Sequence, residues 1–241
     1  IMVYNNHIRL EWCVLLFDVI RGNVSLIQFI MFVISSLIII FLTLPIHEWA
    51  HGYAAYKLGD PTAKNMGRLT LNPFAHIDYV GALMIIIFGF GWAKPVPVQA
   101  RYFKNPKAGM AVTAFAGPFS NLVVALIARL LYYVVAVIYR SFAFVALQYV
   151  ALVFYYIFSI NISLAVFNLI PIPPLDGSRI LNAFLPDRIY YKLMRYEQYF
   201  FIAIIVLLYL GILDIPLGFL IKYVSKAFDF IAFLPFKLFF K

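Results

Sequence analysis

Apolar residues run almost without interruption along LIQFIMFVISSLIIIFLTLPI, residues 26–46, and again over 109–139, 142–170 and 199–221. Each stretch matches the roughly 20 apolar residues that a helix needs to cross a bilayer core, so at least four spans are predicted. Gly59-Asp60-Pro61 ends the first with a turn signal. The pattern then changes. Residues 62–78, TAKNMGRLTLNPFAHID, are polar, alternate in GRLTL as a strand does and break at Asn72-Pro73. Residues 80–92, VGALMIIIFGFGW, form an apolar run interrupted by glycine, too short to cross as a helix and suited to a re-entrant or interfacial hairpin. The prolines of AKPVPVQARYFKNPK favour extended structure after it. Pro171, Pro173 and Pro174 cannot continue the third span. The chain must unwind there at membrane depth, which is tolerated only where it lines a protein-enclosed cavity.

The expectation is an all-α polytopic membrane protein with about four to six transmembrane helices and a small β or re-entrant segment between the first helix and the second long span. Three regions follow. Residues 1–25 form an N-terminal strand or interfacial helix, 26–213 the membrane core, and 214–241 a C-terminal amphipathic or additional membrane segment in which lysines alternate with phenylalanines.

Composition narrows the class. With 65% hydrophobic and 12% charged residues, against about 25% charged in soluble domains, and a mean hydropathy of +0.94, the chain belongs in a membrane. The first apolar run is too long for a secretory leader and is expected to stay in the mature protein. A net charge of +9 raises the question of nucleic acid, but the basic residues sit in short connections, where Lys and Arg set topology. No nucleic-acid partner is expected; the bilayer is the partner. If 80–92 is re-entrant, loops 57–107 and 171–198 share a side and hold most of the Lys and Arg, which makes that side cytoplasmic. An integral protein of the cell membrane is expected, its site open to the cytoplasm. The single cysteine, Cys13, excludes an internal disulfide and a thiolate metal site, so a metal must use nitrogen and oxygen.

Those atoms are at hand. PIHEWAHGYAAYKLGD, residues 45–60, puts two histidines and a glutamate at the end of the first span. Positions i and i+4 share a helix face, so His47 and His51 point together, with Glu48 beside them in reach of a metal-bound water. This is HExxH, in which two imidazoles hold zinc and the glutamate is the general base. With four histidines and three glutamates in 241 residues, chance produces the motif about once in a thousand such chains. The bland reading, two polar residues hydrogen-bonded at a helix end, fits poorly with the cost of ionisable groups inside a span.

Catalytic zinc takes three protein ligands. His76, Asp78, Asp176 and Asp214 all lie in polar breaks near membrane depth, and spacing alone does not choose among them. Local structure favours Asp176, which follows the unwound prolines and precedes Gly177 and is therefore free to turn inward. Asp78 orders its own loop, His76 is interfacial or supports the site, and Asp214 reads as a turn before Pro216. A metal-ion transporter would need further His and Asp ligands, yet only His7 and His76 remain. An inactive scaffold would not need the complete set of catalytic residues.

His47-Glu48-Trp49-Ala50-His51, GRLTLNPFAHID, AGPFSN and FNLIPIPPLDG, in this order and each against an apolar span, resemble the site-2 protease family of intramembrane zinc metalloproteases. The resemblance runs from about residue 26 to 182. It implies one zinc per chain, held by His47, His51 and Asp176, water activation by Glu48, and a transmembrane protein as substrate. It also implies a role for Asn121, which ends Gly117-Pro118-Phe119-Ser120-Asn121, as donor to the oxyanion or to a substrate carbonyl, and a structural role for Asn168 among the prolines. Larger relatives carry a PDZ or nucleotide-binding regulatory domain and a full helix before the HExxH helix. A minimal-core member without them is expected here.

Overall fold

The computed structural model describes residues 25–88 and 91–240. The strand or interfacial helix expected over 1–25 therefore lies, apart from Ser25, outside the described residues. The first span is α1 (Leu26–Ile38) and α2 (Leu44–Lys57), joined end to end by a π-helical turn, Ile39–Thr43. Pro45 accounts for the wide turn: it has no N–H to give, and in a regular helix its ring would strike the carbonyl four residues back. Widening lets the Leu44 N–H reach Ile39 O, and the helix continues into the motif.

The polar connection holds two single turns, α3 (Thr62–Asn65) and α4 (Pro73–His76), and a short helix, α5 (Tyr79–Phe88). No strand forms among the described residues, so the expected β segment is missing, GRLTL included. Alternation is not enough where no neighbouring backbone offers a ladder. Arg68 instead extends its side chain to Lys94 O at 2.9 Å and Pro95 O at 3.3 Å. Lys94 N donates to His76 O at 2.8 Å, so the chain comes back to where α5 departed. It then runs extended over residues 91–99 as a strap.

α6 (Pro106–Phe142) is started by Asn105, whose side chain accepts from Ala108 N. α7 (Ala146–Asn168) returns beside it. Gly109, Thr113, Ala114, Gly117, Asn121, Ala125 and Ala128 recur along α6 at intervals of one, three or four and are buried. Small residues on one face let membrane helices approach closely. After the prolines come α8 (Asp176–Asn182) and α9 (Asp187–Met194).

Among the described residues, three segments are long and apolar enough to cross a membrane, Phe29–Lys57, Pro106–Phe142 and Ala146–Asn168. The fourth span expected over 199–221 is instead two helices, α10 (Glu197–Tyr209), of 13 residues, and α11 (Asp214–Phe233). Gly211 causes the break. At φ +70° it takes a left-handed conformation that favours glycine, and the bonds Ile212 N to Leu207 O and Gly211 N to Leu208 O close off α10. α11 then follows the second half of α6: Leu217 and Ile221 pack with Ala125 and Ala128, and Arg140 donates to Phe239 O at the far end. A charged clamp holds it. Arg129 Nε and the Tyr133 hydroxyl both donate to Asp229 Oδ1 at 2.6 Å, while the guanidinium lies 4.4 Å from the Tyr132 ring centroid and 5.1 Å from that of Phe158.

Candidate metal centre and reaction cavity

The two motif histidines meet as helix spacing requires. Their rings lie 4.6 Å apart at 85°, with Nε2 atoms separated by 3.0 Å. His51 is aimed by the next helix. Its Nδ1 donates to Thr113 O at 2.7 Å, which leaves Nε2 with its lone pair outward.

The proline-rich unwinding brings the third group. Asp176 opens α8 and directs Oδ2 to within 3.4 Å of His47 Nε2 and 3.2 Å of His51 Nε2. Among the described residues these three form the one cluster able to hold a metal. The other ligand candidates are elsewhere: His76 is buried with Nε2 against Thr70 O at 2.7 Å, Asp78 accepts from Gly81 N, and Asp214 begins α11.

The donors fit zinc. Tetrahedral bonds of about 2.0–2.1 Å set ligand atoms about 3.3 Å apart, and the observed triangle measures 3.0, 3.2 and 3.4 Å. A lone pair facing a carboxylate calls for a cation between them. Gly117 of α6 forms the floor of the cradle. A Cβ there would lie 2.6 Å from His47 Nε2 and closer still to His51, in the space the ligand atoms share.

Glu48 is buried on the same helix, and its Oε2 accepts from Val96 N of the strap at 2.8 Å. Beyond the four motif residues opens a cavity of about 480 Å³, walled by Trp92 and Val96 of the strap, Phe167 and Asn168 of α7, and Phe201 and Leu208 of α10. Asn121, one turn past Gly117, is 1% exposed, has no hydrogen-bond partner for either amide atom among the described residues, and is not part of the cavity wall. Sequence reasoning missed the meeting of the strap with Glu48, the Thr113 carbonyl and the Gly117 cradle. Only Gly117 left a trace, in the Gly-Pro pair beside a run of small residues.

Comparison with known proteins places the chain among zinc metalloproteases. The model of Peptidase family M50 matches residues 133–212, which include Asp176 but not the HExxH helix. The chain is 41% identical over 174 residues to the "Putative zinc metalloprotease YwhC" of Bacillus subtilis (strain 168), covering 70% of this chain and 78% of that one. It is 26% identical over 177 residues to the "Putative zinc metalloprotease Rip2" of Mycolicibacterium smegmatis, and 30% identical over 176 to the protein of that name in Mycobacterium tuberculosis (strain H37Rv). Each of those two alignments covers 69% of this chain and 63% of the relative. No solved structure matches the chain. With this relationship and the His/His/Asp cluster, the protein is a zinc metalloprotease with membrane helices, and the chain belongs to peptidase family M50, the site-2 proteases.

Proposed function

We propose that the protein hydrolyses peptide bonds of transmembrane proteins in or near the bilayer, with His47, His51 and Asp176 holding zinc and Glu48 as general base. The observation that carries this reading is the meeting of the two HExxH imidazoles with Asp176 beside an apolar cavity whose other walls come from the strap, α7 and α10. When bound there, zinc polarises the scissile carbonyl and acidifies the attacking water. The chain's own groups do the rest. Glu48 takes a proton from that water and returns it to the leaving nitrogen, so the C–O bond forms as the C–N bond breaks and Glu48 ends as it began. His51 is kept in the ligating tautomer by Thr113 O.

Water enters, on this reading, from the end carrying loops 57–107 and 171–198, whose Lys and Arg put it in the cytoplasm of a cell-membrane protein. Asn121 is the proposed donor to the substrate carbonyl or oxyanion, supported by an amide with no partner one turn past Gly117. Asn168 competes for that role because it lines the cavity. The test uses purified protein in bilayers with a single-span reporter, the cut mapped by mass spectrometry. Cleavage inside or beside the reporter's span, abolished in Glu48→Gln and Asp176→Ala, is expected. Cuts confined to soluble tails distant from the span would refute the intramembrane assignment.

A further inference from the structure

The strap is fixed on both sides of Val96. Ahead of it, Lys94 N donates to His76 O, and Arg68 donates to the carbonyls of Lys94 and Pro95. Behind it, Gln99 N donates to Asp60 Oδ2 at 2.6 Å, and Asp60, itself fully buried, is held through Oδ1 by Thr62 N at 2.9 Å. Between these ties Val96 is buried, and its N–H meets Glu48 Oε2. Gly52, next to His51, lets the strap lie this close: a Cβ there would stand 3.2 Å from Val96 Cγ1.

A glutamate side chain has three rotatable bonds, and a general base works only when its oxygen is aligned with the proton it takes. One carboxylate oxygen committed to a main-chain amide fixes the plane of the group and leaves Oε1 for transfer. An amide suits the task. It carries no competing titration near neutral pH, and it keeps its own hydrogen throughout, so the proton taken by Oε1 has only the leaving nitrogen to go to.

We infer that the strap 91–99 is a positioning element of the reaction: the Val96 amide orients Glu48, and Asp60 and Arg68 act through it by holding the strap. The inference rests on Glu48 being the general base. It assigns a function to a segment that touches neither the histidines nor Asp176 by any hydrogen bond among the described residues.

The test compares wild type, Val96→Pro, Val96→Ala and Glu48→Gln as full chains, measuring zinc content, kcat and KM on one transmembrane reporter. Proline removes the N–H in a strap that Pro95 and Pro97 already confine to extended backbone. Val96→Pro is expected to keep its zinc and KM and lose about 10- to 100-fold in kcat, the scale of a misplaced catalytic group. Val96→Ala, which keeps the amide, should lose far less of kcat than Val96→Pro. Undiminished kcat in Val96→Pro, or an equal loss in Val96→Ala, overturns the inference while inactive Glu48→Gln leaves the general-base reading standing. An active Glu48→Gln removes both. If Val96→Pro does not fold, amide hydrogen exchange decides. Faster exchange at Val96 in Glu48→Ala than in wild type supports the bond, and equal exchange overturns it.

Discussion

Gly117→Ala adds one methyl group and is expected to remove the metal. The new Cβ would stand 2.6 Å from His47 Nε2 and closer still to His51 Nε2, whereas ordinary contact starts at 3.4 Å, so something must move by at least about 0.8 Å. Two movements offer relief, and both harm the site. Rotating the imidazoles displaces their Nε2 atoms by several times the roughly 0.2 Å that a zinc bond tolerates. Moving α6 away from α2 instead stretches the 2.7 Å bond from His51 Nδ1 to Thr113 O to about 3.5 Å, past useful hydrogen-bond length. Disturbing a support of this kind costs 10- to 100-fold in metal affinity. Displacing both histidines should cost at least about 100-fold, or about 2.7 kcal/mol, with a further 1–3 kcal/mol or so of overpacking taken from the fold. The assay is zinc per chain after equilibration against chelators of graded strength, with helicity followed by circular dichroism. Gly109→Ala is the control. It lies two turns earlier on α6 and would crowd the Phe103 ring, so it should lower stability and keep zinc. Gly117→Ala retaining zinc at wild-type chelator strength would refute the reasoning.

Asp229→Ala leaves Arg129 among aromatic rings without its counter-charge; because the Asp229 side chain is 40% exposed, the expected cost is about 1–3 kcal/mol rather than that of a fully buried pair, read as a lower melting temperature in detergent, with unchanged melting as the contrary result. Asp60→Ala removes the acceptor for Gln99 N and should speed amide exchange across 91–99 while leaving zinc in place; unaltered exchange would show that the strap does not depend on it. Asn121→Ala and Asn168→Ala separate the two donor candidates: the residue that serves the oxyanion loses about 10²- to 10³-fold in kcat, and equal activity in both variants removes the role from each.

The three residues of the candidate cluster were legible because their information is local. His47 and His51 need only the helical period, and Asp176 needs only the proline cluster that unwinds the chain before it. The long apolar runs gave the first three spans for the same reason. Gly211 was not legible as a break. Its effect depends on a left-handed conformation and on carbonyls of α10, while the flanking residues are as apolar as any span. GRLTL misled because alternation reports two faces, not a ladder partner, and Arg68 reaches the neighbouring carbonyls with its side chain instead. The strap was read as extended from its prolines, but its meeting with Glu48 joins residues 48 apart in the chain, which no periodicity carries.

The central claim is that His47, His51 and Asp176 hold a zinc at which Glu48 performs hydrolysis. Metal content and reporter cleavage, measured together on wild type, Asp176→Ala and Glu48→Gln, test it most directly. The account predicts about one zinc per chain in wild type and in an inactive Glu48→Gln, and little in Asp176→Ala. Full zinc in Asp176→Ala, or full activity in Glu48→Gln, would contradict it.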